Sequence, residues 1–399
     1  MSGVTGGTIT ADMPRLGKSI DWTGASGSPT FTLGVSASIF GSLTLISAMT
    51  FTVSNAPTLS GRGAFNIDSS GKSWAGGVTI GAPGGTYTLL SALSTSSNLI
   101  VNDGTFDTSG FNCTFNTFQS LSGRTRAITL GTSTMTASWG GGTTPWQVSS
   151  SGLTFSGASS TLVISGATSS TRTVQGGGLT YGTLTHTVAG STGQLNITGA
   201  NSFAAINFSD ATNARTLAFT AATTTTIRNT NGFNVQGTSG KLMTVQSVTA
   251  ATHTLSSTNT QSCDYLNVVN SIATGGGSWY AGANSTDGTG NTGWLFQAAL
   301  SPVNGTTMSE LEYAAYAIKT GLSGIRLNSQ KLAFYNSKLG TNYYRASEAE
   351  RAYLKSVTGL HSETSLNTLW KAFMITRGVA YKHSMSDMKR DFFKTYGFI

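Results

Sequence analysis

The sequence predicts a mainly β chain: a right-handed parallel β-helix (a solenoid) followed by a small C-terminal all-α domain. Three observations predict it. Of the 50 glycines, 43 fall in residues 1–300, and that stretch holds no glutamate at all. Long helices are improbable there, because Gly costs about 1 kcal/mol against Ala in a helix interior. The same stretch runs as short segments, apolar at alternate positions and separated by Gly, Ser, Thr and Asn at intervals of roughly 8–12 residues. The final hundred residues then change character, becoming charged, with apolar residues at helical spacing and an internal duplication.

Taken in order, residues 1–30 read as an irregular arm and residues 31–296 as the solenoid. Strand signals run from Thr30 through Val35, Ser42–Ile46, Thr50–Ser54, Ala64–Asp68, Gly77–Ile80, Thr86–Leu90 and Asn98–Asn102. They continue through Arg126–Gly131, Gly152–Ser156, Thr161–Ser165, Thr183–Val188, Gln194–Thr198, Phe203–Phe208 and Arg215–Thr220. The last are Thr225–Arg228, Phe233–Gln236, Leu242–Ser247, Thr252–Ser256 and Asp264–Asn270. Three consecutive strands suggest a repeat of about 30 residues, Leu195/Ile206/Leu217 followed by Ile227/Val235/Val245. A β-sandwich accepts such spacing too, but two-residue hairpin turns are scarce, Asn231-Gly232 and Asp103-Gly104 being the main cases. A solenoid grows by burying each coil's apolar face on the next, and it is preferred here over a multi-sandwich fiber.

Residues 263–296 read as the solenoid's terminal cap: a strand, a Gly/Asn-rich loop, then Gly293-Trp294-Leu295-Phe296. Trp279, Tyr280, Trp294 and Phe296 carry enough apolar area to close an open end. A linker is expected at 297–308. Beyond it, SELEYAAYAIKTGL (309–322) aligns with SEAERAYLKSVTGL (347–360), and LNSQKLAFY (327–335) with LNTLWKAFM (366–374). The domain 309–399 is therefore expected as two helix–turn–helix repeats, with Gly321 and Gly359 as helix stops and a short third helix from Ser384. Neither copy can bury its apolar stripe alone, so the two should pack as a small bundle.

The net charge is +8, and residues 301–399, with 13 basic and 7 acidic residues, supply +6 of it. A solvated helical surface accounts for this excess better than a nucleic-acid partner. Cys113 and Cys263 lie far apart, with neither metal spacing nor a disulfide framework, and read as reduced, buried residues. No apolar run reaches signal-peptide or transmembrane length, so the chain is expected to be made in a cytoplasm, with neither membrane insertion nor export by the usual signal.

Candidate chemistry is thin, and no catalytic, cofactor-binding or metal-binding residue is assigned. Gly288, Gly290 and Gly293 match G-x-G-x-x-G, but the dinucleotide mechanism needs a helix directly after the glycines, and the aromatic plug stands there instead. Asp287 with Asn284 and Asn291 offers a single carboxylate, too few for a calcium loop. A glycan-cleaving site needs two carboxylates about 5–9.5 Å apart. The candidates are Asp103/Asp107 and the scattered Asp68, Asp210 and Asp264; Asp103 and Asp107 flank an Asn-Asp-Gly turn, where Asp is favoured for structural reasons. His186 and His253 fall on strands with no readable partners and read as structural. The threonines Thr223–Thr226 could contact sugars, and Tyr343-Tyr344-Arg345 and Lys389-Arg390 form basic-aromatic patches that helix surface alone explains.

The segment CDYLNVVNSIATGGGSWYAGANSTDGTGNTGWLF (263–296) resembles the ending of Gly/Thr-rich virion proteins of tailed phages. The likeness lies in the Cys-Asp-Tyr strand, the Gly-Gly before Trp-Tyr-Ala-Gly-Ala-Asn-Ser, and the closing Asn-Thr-Gly-Trp-Leu-Phe. The helical repeats, with Glu-Arg-Ala-Tyr-Leu and Ser-Met-Ser-Asp-Met-Lys-Arg, look similar to C-terminal modules of phage minor tail proteins. The resemblance implies a non-enzymatic structural component of a virion: a tail fiber, tail-tip or minor tail protein. Its partners would be other virion proteins, further copies of itself (a trimer being the first expectation) and a host-surface glycan or receptor. It carries over no functional residue. The alternatives are a polysaccharide-depolymerase tailspike and a bacterial surface adhesin, the latter disfavoured by the missing export signal.

Overall fold

A computed structural model describes residues 5–138, 144–297, 335, 339, 345–376 and 379–395. The chain divides into two units, 1–298 and 299–399, each described by itself.

The first unit is a parallel β-solenoid of about 12 turns. Every strand-to-strand ladder in it is parallel, and most strands belong to one 28-stranded sheet that winds around the core. The winding follows from the alternation in the sequence. In a strand, residues two apart share a face, so Val78, Leu99, Phe118, Trp146, Val174, Ile197 and Phe219 all point inward. Each lies beside its counterpart one coil on, from Val78 beside Leu99 to Ile197 beside Phe219. All seven are fully buried. A second inward file runs through Leu93, Cys113, Met135, Leu162, Leu184, Ile206 and Phe233. Between these strands, Thr, Ser, Gln and Asn face out.

Two expectations are corrected. The expected repeat of about 30 residues is longer than most coils, whose register partners lie 21 apart at Val78–Leu99 and 22 at Leu195–Leu217. Leu195 and Leu217, read as two strands of one coil, are direct neighbours in consecutive coils, and Leu217 in turn pairs with Val245. Register partners in adjacent coils lie 19 residues apart at Asn98–Thr117 and 28 at Phe118–Trp146. The coil length varies because corner loops vary while the strands keep register. The expected irregular arm is also wound into the solenoid. Thr8–Ala11 pairs with Thr30–Leu33, Arg15–Leu16 with Ser38–Ile39, and Ile20–Asp21 with Leu43–Thr44. These strands are only two to four residues long, too short to show clear alternation.

Several separately expected strands fuse. Gly152–Ser156 and Thr161–Ser165 become one strand, Leu153–Ile164, whose first half pairs with Arg126–Thr129 and second half with Thr134–Ala137. It turns a corner at Gly157–Ser160, where the register shifts. Val78–Leu89 and Asn98–Asp107 bend in the same way. At their shared corner, Gly104 has φ +77°, and a Cβ there would stand 2.1 Å from the Ala82 carbonyl oxygen. Only glycine lets the two coils touch.

The cap is itself coiled. Gln261–Ser262, Trp279–Tyr280 and Trp294–Leu295 stack as a parallel three-stranded sheet, with Trp279 beside Trp294. The two indoles meet edge to face at 5.3 Å, and both lie against Phe233. Trp279, Tyr280 and Trp294 are buried and Phe296 packs on the same core, as their aromatic content predicts.

In the second unit, helices span Ala346–Thr358 (α1), Leu366–Thr376 (α2) and Met385–Thr395 (α3). Gly359 ends α1 in a left-handed conformation, φ 73°, its N–H bonded to the Lys355 carbonyl; this is the expected stop. Ser384 caps α3 by accepting a bond from the Asp387 N–H. The expected linker after Gln297 and the first repeat lie outside the described residues, apart from Tyr335 and Leu339. Tyr335 is buried against Tyr353, ring centroids 5.1 Å apart, in a cluster with Ala349, Leu354, Leu369, Phe373 and Met388.

Two outcomes follow from the packing. Ile197→Ala should destabilise the solenoid by about 2–5 kcal/mol through its lost contacts and cavity, whereas Thr173→Ala on the outer face should change it by less than about 0.5 kcal/mol. Urea unfolding followed by fluorescence tests both. Gly359→Ala should lower the stability of the helical unit by about 1 kcal/mol, since alanine pays for the left-handed conformation. This is read from the helical far-UV melting of the full chain.

Candidate functional site

The solenoid aspartates occur largely as Asp-x-Ser/Thr, and that spacing decides their role. Asp21, Asp68, Asp107 and Asp210 each accept a hydrogen bond from the backbone N–H two residues on, at Thr23, Ser70, Ser109 and Thr212. These are Asx turns at coil corners. Asp210 also accepts from the Thr212 hydroxyl and from Asn213. Burial pushes its carboxyl up, but these hydrogen bonds outweigh burial and hold it below the ordinary value.

Asp103 is mostly buried; it accepts from the Gly104 N–H at 2.9 Å and pairs with Arg124 at 3.3 Å. With Gly81, Pro83, Asn102 and Ser122 these residues line a polar hollow of about 340 Å³. Asp107, its expected companion, is engaged in its own turn on the next face. Asp264 takes both the N–H and the side-chain amide of Asn284, while Asn291 bonds Asp287 and the Val268 carbonyl. Among the described residues no three His, Cys, Asp or Glu side chains gather as metal donors. Gly288, Gly290 and Gly293 lead into the strand Trp294–Leu295 rather than a helix.

The two histidines form buried centres. The His253 ring stacks on Phe219 at 5.0 Å and lies 3.0 Å from both the Ser247 and Ser271 hydroxyls. Ser271 in turn accepts from the Trp294 indole N–H. This serine–histidine pair is sealed from any substrate and ties the last coils together. His186 Nδ1 lies 2.6 Å from the Ile164 carbonyl, so that nitrogen donates. Burial, with the nearby Arg215 charge for His186, pushes each ring down to about 4. Burial likewise pushes the Cys113 and Cys263 thiols up to about 12, and both are free.

Sequence reasoning missed three interior arginines: Arg126, Arg172 and Arg215, each at most 2% exposed. The signal was readable. Each stands two residues before an inward apolar side chain, in Arg126-Ala-Ile128, Arg172-Thr-Val174 and Arg215-Thr-Leu217, and so shares its face. Arg126 shows how such a charge is housed. Nε donates to the Ser120 hydroxyl, Nη1 to the Arg124 and Ser151 carbonyls, and Nη2 to the Ser120 and Ser149 carbonyls.

Outward, the register builds polar files. Thr8, Thr30 and Thr50 stand in line, beside Thr10, Thr32 and Thr52. Gln119, Gln147 and Gln175 form another file. Thr185, Asn207 and Asn234 form a third, bridged by side-chain hydrogen bonds. Of the expected threonine run, Thr224 and Thr226 line up with Thr254 and Ser256, whereas Thr225 is buried. At the N-terminal end, Ile9, Leu16, Ile20 and Phe31 help line a largely apolar hollow of about 490 Å³. In the helical unit Tyr343 and Tyr344 lie outside the described residues; Arg345 pairs with Glu348 and Arg390 with Asp387.

Compared with known proteins, the chain matches no family model, no curated protein and no solved structure.

The buried histidines set a pH dependence. Each is neutral in the folded chain down to about pH 4 but titrates near 6.5 when unfolded. The stabilisation is therefore complete above about pH 6.5 and is lost as the pH falls from 6.5 to 4, by up to roughly 3 kcal/mol per ring. Asp21 and Asp210, whose values are depressed, act lower still, below about 3.8. Denaturant midpoints measured from pH 7.5 to 4 should fall across this window, with the slope about halved in His253→Gln.

Proposed function

We propose that the chain is a non-enzymatic structural component of a bacteriophage virion, of the tail-fiber, tail-tip or minor-tail kind. Its solenoid serves as a stiff shaft, and its helical unit as a docking or host-surface module. The observation that carries this reading is a coincidence. The stretch 263–296, whose sequence resembles the endings of phage virion proteins, is also the stretch that closes the solenoid with its tryptophan stack.

The physical properties agree with a shaft. Each coil is bonded along its length to the coils above and below, so local opening must break several ladder bonds and uncover a buried apolar file at once. Such a rod resists bending and proteolysis. Its outer files of Thr, Gln and Asn offer regularly spaced hydroxyls and amides, suited to packing against further copies or to grazing contact with a surface glycan. On this reading the chain is made in the host cytoplasm and ends in the particle, among other virion proteins, as a homo-oligomer with a trimer the first expectation.

The test is to purify particles of a phage carrying this gene and to label each terminus of the chain with gold-tagged antibody. The chain should co-purify with the particle and label at the tail; its absence from purified particles would overturn the proposal. Incubation with capsular or cell-wall polysaccharide should release no sugar. Release abolished by Asp103→Asn would replace the shaft with a depolymerase acting at the Asp103 hollow.

A further inference from the structure

We propose that the hollow at Asp103 and Arg124 binds one neutral pyranose ring of a surface glycan. The inference rests on the shaft reading above for its biological meaning, and on the geometry of a single corner for its site. At that corner the ladder slips: Val101 lies beside Ile80, yet Asp103 lies beside Gly81, so Asn102 is an extra residue in its strand. A bulge of this kind re-aims side chains and is over-represented beside active sites. Here it leaves Asn102 exposed and sets the mostly buried Asp103 in the wall of the hollow. Gly81, its register partner, brings no side chain to fill the space, the use of a strand glycine where a ligand comes close. Ser122 and Arg124 reach the hollow from the connection between Thr117–Ser120 and Arg126–Thr129, the strands of the following coil.

The groups lining the hollow keep hydrogen-bonding capacity to spare. Asp103 Oδ1 accepts from the Gly104 N–H and Oδ2 from Arg124 Nη1, while a carboxylate has about four acceptor positions. Arg124, its side chain 71% exposed, gives that pair one of the five N–H groups a guanidinium carries. The Asn102 amide makes no hydrogen bond among the described residues, and the Ser122 hydroxyl, which accepts from the Arg124 backbone N–H, still has its own hydrogen to donate. Donors and acceptors thus converge where the charges of Asp103 and Arg124 cancel. An anion meets the carboxylate's repulsion and a cation the guanidinium's. An uncharged ligand whose adjacent groups each donate and accept suits both, and the vicinal hydroxyls of a pyranose are such groups. Pro83, on the rim, offers an apolar surface for the sugar's C–H face. The volume of about 340 Å³ lies near the small end of ligand pockets, roughly 300–1,000 Å³, so it takes one ring and not a chain.

The experiment is saturation-transfer NMR on the full chain with the methyl glycosides of glucose, galactose, mannose and rhamnose, and with glucuronate and glucosamine as charged counterparts. At least one neutral glycoside should receive saturation, and more strongly than either charged sugar. Arg124→Ala and Asp103→Asn should each weaken its binding by about tenfold. No transfer to any neutral glycoside, an equal or stronger response from a charged sugar, or transfer undiminished in Arg124→Ala would overturn the proposal. Should Asp103→Asn fail to fold, Arg124→Ala decides, since that side chain is largely exposed. The labelling of particles answers separately. A chain absent from particles that still binds the glycoside removes the virion reading and keeps this site; a chain found on particles that binds none removes this site alone.

Discussion

The solenoid depends on one constraint: each inward side chain must lie on its counterpart one coil away, with the parallel backbone ladder holding the match. Because the side-chain period of a strand is two, a slip of one residue would turn a whole strand's apolar set outward. Every coil therefore keeps its register, and all variation is pushed into the corners. Register spacings of 19 residues at Asn98–Thr117 and 28 at Phe118–Trp146 are the visible result.

That division of labour explains the composition. Corners need residues that bond their own backbone or accept unusual dihedrals, and these are Gly, Asn, Asp, Ser and Thr. Asp21, Asp68, Asp107 and Asp210 are spent in this way. Asn201 does similar work from the inside: its side-chain oxygen accepts from the Gly178 and Leu179 N–H groups while its nitrogen donates to the Thr198 and Gly199 carbonyls. Gln261 bridges Phe233, Asn229, Ser257 and Asn259 just below the tryptophan stack. Polar side chains that might suggest chemistry in another fold act here as fasteners of a stack.

The architecture was legible wherever period-two alternation was strong. The inward files through Leu195, Leu217 and Val245 are read directly from apolar spacing, although their assignment to coils was wrong. A linear pattern marks which face a residue takes, not which earlier strand it will lie beside. The first coil was missed because its strands are only two to four residues long, so the alternation in Thr8–Ala11 is a weak signal. The interior arginines add no apolar signal of their own to the pattern, although their phase relative to Ile128, Val174 and Leu217 placed them inside.

The sequence by itself determined the class of structure: Glu-free, Gly-rich alternation admits short strands and excludes long helices, and Gly359 ends a helix because only a left-handed residue fits there. It also determined the aromatic closure, since Trp279 and Trp294 must hide their area somewhere. Only the tertiary structure decided the winding: which strand pairs with which, that Leu153–Ile164 bends across two faces, and that His253 meets Ser247, Ser271 and Trp294. These are non-local choices. They rest on the free energy of whole coils laid against one another, and no window of neighbouring residues contains that sum.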